Sequence, residues 1–276
     1  MLSLSAIQEA RERITDAVRV TPMEYSYTFS ERTGAAVHLK LENFQRTGAF
    51  KIRGALNRIT TLSAAQQDAG VVTASAGNHA QGVALAATRA GVDSVIVMPE
   101  YAPISKVKAT RRYGGRVVLD GVDYEEAQAR AHEIEREEGR TYVHAFDDEA
   151  VMAGQGTIGL EILEQQPDVE TVIVPIGGGG LISGIATAIK TQQPDVRVIG
   201  VQAEGASSVI DSLAAGEIRA IDSVNTVADG IATRSVGEQP FEIIQERVDE
   251  VVTVSDEEIA LAMTMLPDPS KTLLEG

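Results

Sequence analysis

Between residues 71 and 144, short β-rich apolar runs alternate with amphipathic stretches, and a glycine follows each amphipathic stretch. Val71-Val72-Thr73 and the runs 94–98, 116–119 and 141–144 predict strands. Residues 78–90, 104–113 and 124–138 predict helices, closed by Gly91, Gly114-Gly115 and Gly139. Glycine just past a helix supplies the left-handed backbone that its C-terminus needs. A helix between successive strands implies parallel pairing with helices on both faces of the sheet. A second series follows: helix 148–165, strand 169–176, helix 181–191, strand 196–203, helix 207–214, strand 251–254 and helix 255–265. Ahead of both, 5–20 predicts a helix with Ser5 as N-cap and Ile7, Ala10, Ile14, Ala17 and Val18 on one face. Residues 37–41 predict a strand and 50–61 a helix. Two α/β units in one chain predict two three-layer parallel-sheet domains with a ligand cleft between them.

Composition narrows the function classes. There is no cysteine, which excludes disulfides, thiolate metal sites and a cysteine nucleophile. That fits a cytoplasmic protein. No basic region followed by an apolar stretch opens the chain, and no apolar run reaches membrane-spanning length. The 24 Lys and Arg against 40 Asp and Glu give a net charge of −16, a field that repels nucleic acid and anionic membranes. An ordinary acidic protein and one adapted to high salt both have this balance.

Three segments carry chemistry. Strand 169–176 runs into Gly177-Gly178-Gly179-Gly180 and then into a helix beginning at Leu181. Free backbone N–H groups at a helix N-terminus make a phosphate cradle, and a tight turn does not need four glycines. No Gly-Lys-Ser/Thr follows, and the sixth position counted from Gly177 or Gly178 is Ile182 or Ser183, so neither nucleotide fingerprint fits. A small phosphorylated cofactor is the better candidate. Lys51, beside Phe50, is one of only six lysines and sits among small and apolar residues. Burial lowers an amine's pKa and makes it a nucleophile for carbonyls, and Arg53 nearby is expected to push in the same direction. Ser75-Ala76-Gly77-Asn78-His79 turns a strand into a helix whose free N–H groups suit a carboxylate; Ser75 or Asn78 as an ordinary helix cap is the competing reading.

Together these segments resemble the fold-type II (tryptophan synthase β-like) pyridoxal-phosphate enzymes, in the threonine dehydratase and serine racemase branch. The matching residues are Phe50-Lys51-Ile52-Arg53-Gly54, Ser75-Ala76-Gly77-Asn78-His79-Ala80-Gln81-Gly82 and Gly177-Gly178-Gly179-Gly180-Leu181. Ala228-Asp229-Gly230-Ile231-Ala232 and Lys271-Thr272-Leu273-Leu274-Glu275-Gly276 add to them, so the resemblance runs along essentially the whole chain.

The resemblance implies pyridoxal 5'-phosphate as cofactor, a large cofactor-binding domain of residues 1–50 plus 151–276, and a small domain of 51–150. It implies that Lys51 holds the cofactor as a Schiff base and later takes the α-proton. Phe50, Asn78, Gly177, Gly178, Gly179, Gly180, Leu181 and Gly230 would surround the cofactor, Asn78 at the ring hydroxyl. Ser75, Ala76, Gly77, Asn78 and His79 would hold the substrate carboxylate. The implied reaction is deamination of L-threonine to 2-oxobutanoate and ammonia, with L-serine secondary, in amino-acid metabolism leading to isoleucine, by a dimer or tetramer. Racemases of this branch carry a serine before Gly-Asn-His; here Ala76 stands there, which favours elimination. A serine racemase or dehydratase, and a non-catalytic cofactor-binding protein, are the alternatives. A divalent cation has only Glu204 as a weak candidate ligand, with Asp211 the nearest second carboxylate.

Overall fold

The computed structural model describes residues 1–265 of the 276-residue chain. The Lys271-Thr272-Leu273-Leu274-Glu275-Gly276 match lies outside the described residues.

The chain opens with α1 (Leu4–Ile14), β1 (Met23–Tyr25), α2 (Tyr27–Thr33) and β2 (His38–Lys40), the two strands forming an antiparallel pair. Then come α3 (Lys51–Thr60), α4 (Ala64–Ala69), β3 (Val71–Ala74), α5 (Asn78–Ala90), β4 (Ser94–Met98), α6 (Ile104–Arg112), β5 (Arg116–Leu119), α7 (Tyr124–Glu138) and β6 (Thr141–Tyr142). The last part holds α8 (Glu149–Gln165), β7 (Thr171–Pro175), α9 (Gly180–Gln192), β8 (Arg197–Ala203), α10 (Ser208–Ala215), α11 (Glu238–Arg247), β9 (Glu250–Val254) and α12 (Asp256–Met265).

Two parallel sheets result, in orders β5-β4-β3-β6 and β7-β8-β9. The first is sandwiched by helices, as the alternation of strand and helix predicts. Val71, Ile96 and Met98 pack with α3 and α5 residues such as Ile59, Val83 and Ala87. Val72, Ala74, Val95 and Val97 point the other way, onto Ala127, Ala131 and Ile134 of α7. In the second sheet Val172, Val174 and Val198 pack on α8, α9 and α11, while Ile173 on the opposite face of β7 is 66% exposed. Each fully buried Val or Ile stabilises by roughly 1.5–3 kcal/mol, against about 0–1 for an exposed ion pair, so these two cores hold the fold.

Several boundaries match the sequence reading to the residue. The α5 and α7 helices end at Gly91 (φ 70°) and Gly139 (φ 66°), as the C-cap argument predicts. The first helix differs. Its cap is Ser3, whose hydroxyl accepts from Ala6 N–H at 3.2 Å, not Ser5, and it ends at Ile14 rather than Val20. Three β-branched residues, Val18, Val20 and Thr21, lead into Pro22, which disfavours a helical residue before it.

Candidate functional site

The strand order contains a topological switch. From β3 the chain builds outward through β4 to β5, then returns to place β6 on the other side of β3. Ligands in open parallel sheets bind beyond the carboxyl ends of strands at such a switch. The segments that leave β3 and β6 there are 75–79 and 143–147. A cleft of about 2160 Å³ opens at this point. Its walls include every residue that the sequence reading placed around a cofactor or a substrate carboxylate: Phe50, Lys51, Ser75, Ala76, Gly77, Asn78, His79, the four glycines 177–180, Leu181 and Gly230. Glu204 opens a short 3-10 turn away from these walls. Among the described residues, no group of three or more His, Cys, Asp or Glu is placed to hold a metal ion.

Lys51 is the first residue of α3. Its Nζ donates to the Ala145 carbonyl oxygen at 3.0 Å and stands 5.2 Å from the Phe50 ring centroid. Burial pushes the amine down to about 8 from its ordinary 10.5. The expected help from Arg53 is absent, because that guanidinium is turned into the core and neutralised there by Glu42 and Glu161. A Cβ on Gly82 would stand 3.1 Å from the Lys51 carbonyl carbon, so a glycine at that point lets α5 lie directly against the start of α3.

The 75–79 turn does not cap α5 through a Ser75 or Asn78 side chain. The N-cap of α5 is Gly77, with no side-chain hydrogen bond to the first turn. Ser75 Oγ instead accepts from Gly77 N–H at 3.1 Å. The first N–H groups of this 13-residue helix are thus left for an anion. His79 is 4% exposed, and its Nε2 donates to the Val143 carbonyl at 3.0 Å. Burial, with the nearby Lys51 charge second, pushes this imidazole down to about 3, so it is neutral. Its Nδ1 is then a buried acceptor with no protein partner.

The glycine loop does two jobs. Gly179, at φ 90°, is the N-cap of α9 and brings no side chain to its first turn. That leaves a second helix N-terminus open on the cleft. Gly178 and Gly180 answer to packing as well: a Cβ at 178 would stand 2.3 Å from the Phe146 ring, and one at 180 would stand 2.7 Å from the Phe146 carbonyl oxygen.

The 144–147 segment is the functional element that sequence reasoning missed. Ala145 receives Lys51, and Phe146 shapes the glycine loop. His144 Nδ1 accepts from Asp147 N–H at 2.9 Å. Asp147 accepts from Glu238 N–H at 2.9 Å and so caps α11. The signal available beforehand was position: His144 closes the strand expected to follow the third helix, at a sheet's carboxyl edge. Two ion pairs between cleft-lining residues span the mouth, Lys106 with Asp229 at 3.0 Å and Arg234 with Glu125.

A family model described as pyridoxal-phosphate dependent enzyme matches residues 14–275. An L-threonine ammonia-lyase of Thermotoga maritima is 50% identical over all of this chain, which spans 69% of that protein. Among solved structures, maize serine racemase superposes with a TM-score of 0.97 at 39% identity, over 99% of this chain and 83% of that one. The processed form of threonine deaminase isoform 2 from Solanum lycopersicum gives 0.96 at 42% identity, over 99% and 74%.

Proposed function

This chain belongs to the pyridoxal-phosphate-dependent enzyme family, and from that premise we propose that it is a threonine ammonia-lyase that converts L-threonine to 2-oxobutanoate and ammonia, with L-serine as a secondary substrate. The observation that carries this reading is the arrangement at the switch point. One desolvated amine lies in a cleft also lined by two helix N-termini that no side chain caps.

The residues fit the cofactor. An amine near pKa 8 suits an aldehyde, and the open α9 terminus suits a phosphate. Pyridoxal phosphate supplies an electron sink for charge at the substrate Cα.

The protein groups then divide the work. Lys51 holds the cofactor and, when its amine is free, serves as base for the α-proton; a pKa near the working pH suits that task. The α5 N-terminus, with Ser75, holds the substrate carboxylate. The α9 N-terminus behind Gly177, Gly178 and Gly179 holds the phosphate. Phe50, Leu181, Gly230 and Asn78 complete the cofactor's surroundings. Ala76 offers no proton from the opposite side, which supports elimination over the racemisation named for the maize relative.

We also read residues 51–150 as the small domain and 1–50 with 151–276 as the large one. The separate cores around the two sheets support this. No helix among the described residues is long and apolar enough to cross a membrane. A cytoplasmic homo-oligomer working in amino-acid metabolism toward isoleucine is the fuller reading, and the −16 net charge is compatible with tolerance of high salt. The test is a panel of L-threonine and L-serine with cofactor-loaded protein at low and multimolar NaCl. Formation of 2-oxobutanoate from threonine is expected. Folded, loaded protein that yields no oxo acid contradicts the reading.

A further inference from the structure

Arg53 is the largest fully buried side chain described, with none of its surface exposed. Its Nε and Nη2 donate to Glu42 at 2.9 and 2.7 Å, and its Nη1 and Nη2 donate to Glu161 at 2.6 and 3.0 Å. Nη1 also donates to Thr157 Oγ1, and Nη2 shares its hydrogens with the Arg19 carbonyl, both at 3.1 Å. Lys40 completes the cluster, donating to Glu161 at 2.6 Å, to Gln165 at 2.8 Å and to the Thr21 carbonyl at 2.7 Å. Two cations and two anions are thus buried together, drawn from β2, the 3-10 turn Glu42–Phe44, α3 and α8. Burial opposes the charge on Arg53, but Glu42 and Glu161 outweigh it and hold the guanidinium above its ordinary range.

Stability alone does not explain such a cluster. Burying ions costs several kcal/mol each, and apolar side chains of the same volume often serve as well. A guanidinium forked onto two carboxylates fixes orientation, because the paired bonds form in one geometry only. What it orients follows from helix geometry. Residues two apart on a helix of 3.6 residues per turn project roughly 200° apart. Lys51 faces the cleft, and Arg53 faces the opposite way, into the core. Any rotation of α3 that re-aims Lys51 breaks the fork on Arg53. The backbones of α3 and α8 are already in contact, since a Cβ on Gly154 would lie 2.5 Å from the Arg53 carbonyl oxygen, and Gly54 N–H donates to the Gln155 side-chain Oε1 at 3.1 Å. Glycine surfaces permit sliding. The ion cluster fixes the register at the Lys51 end, and farther along α3 Asn57 Nδ2 on the Ala150 carbonyl at 2.7 Å and Arg58 Nε on Asp148 at 2.8 Å hold it.

We propose that Arg53, held by Glu42 and Glu161, is a positioning residue that aims Lys51 into the cleft. The proposal rests on the reading of Lys51 as the cofactor-holding amine. Its test does not depend on which amino acid is turned over.

The informative variants are Arg53→Lys, which keeps the charge and loses the fork, and Glu161→Gln, which keeps the shape and loses one charge. In cofactor-free protein, the pH dependence of Lys51 labelling by an amine reagent is followed on the Lys51 peptide by mass spectrometry. His79 and His144 are the titratable groups near that amine, and burial holds both imidazoles below their ordinary range. They therefore stay neutral through the alkaline window. In the variants the labelling midpoint is expected to move from about 8 toward 10.5 as the amine leaves its buried place. Affinity for pyridoxal phosphate should weaken several-fold. Turnover of the loaded protein should fall about 100-fold, the loss expected from a reacting group misplaced by about 1 Å. If either variant folds with an unchanged midpoint and unchanged cofactor affinity, the positioning role is overturned, even if its melting temperature drops. A wild-type protein that fails to bind the cofactor would overturn the functional reading instead.

Discussion

Gly178 and Phe146 lie in direct contact: a Cβ at 178 would come within 2.3 to 2.5 Å of three atoms of the Phe146 ring, Cγ among them. The glycine loop is thus shaped from beneath by an aromatic ring on a segment 32 positions earlier in the chain. Because the clash reaches Cγ, the ring cannot relieve it by moving its tip. Gly178→Ala is expected to destabilise by about 1–3 kcal/mol, the usual overpacking cost, and to weaken binding of pyridoxal phosphate. Phe146→Ala in the same chain should recover part of the stability lost. Thermal melts and a cofactor titration of the single and double variants check this.

The lowered Lys51 pKa gives a pH prediction with a definite sign. Between about 8 and 10.5 the unfolded chain keeps the Lys51 proton and the folded chain does not. Stability therefore rises with pH where the unfolded state binds more protons. In cofactor-free protein, the charged amine weakens the fold below pH 8, and the weakness is relieved as pH climbs toward 10.5. His79 behaves alike at lower pH: its folded value near 3 against 6.5 means that stability falls as pH drops below 6.5. Denaturant unfolding across pH should show a smaller alkaline rise for Lys51→Met than for the parent. Equal slopes would show that the amine is not desolvated.

Much of this site was legible before any coordinates, for identifiable reasons. Glycine after a helix marks its end by local backbone chemistry, so the limits of α5 and α7 were readable. Lys51, the 75–79 turn and the glycine loop are local strings with local physics. The role of Phe146 was not readable, because it lies in shape complementarity between distant segments. Nor was the pairing of Arg53, since Glu161 approaches it only when α3 packs on α8, and Glu42 only when the 3-10 turn folds against α3. Helix α4 is not readable despite the Ser63–Gln66 capping box, because its six residues, three of them alanine, are too few to show an apolar period. Helix α11 carries Pro240 near its start, which reads as a breaker unless the first turn is recognised.

The ion pair between Lys106 and Asp229 spans the cleft mouth in solvent, Asp229 being 65% exposed. Such pairs contribute less than about 1 kcal/mol and weaken with salt. Lys106→Glu is expected to raise KM for threonine a few-fold at low salt and hardly at all in molar NaCl. Asp229→Lys added to it restores the pair in reverse and should bring KM back. Steady-state kinetics over a salt series checks both points; a reversal variant no better than the single one would show that the pair does not act as a unit.

On the proposed function, Ala76 is expected to set the balance between elimination and racemisation. Its methyl group carries no proton, so D-serine formation from L-serine should stay far below pyruvate formation. Ala76→Ser places a hydroxyl at that position and should raise the share of D-serine. Chiral chromatography of the products, beside an oxo-acid assay, reads the ratio directly.

On the proposed function, one lysine of six is expected to carry the cofactor. Borohydride reduction of the protein loaded with pyridoxal phosphate fixes the cofactor on whichever amine holds it, and peptide mass spectrometry then locates it. The label is expected on Lys51, with no labelling and no turnover in Lys51→Ala. A label on Lys40, Lys106, Lys108, Lys190 or Lys271 in place of Lys51 would contradict the account.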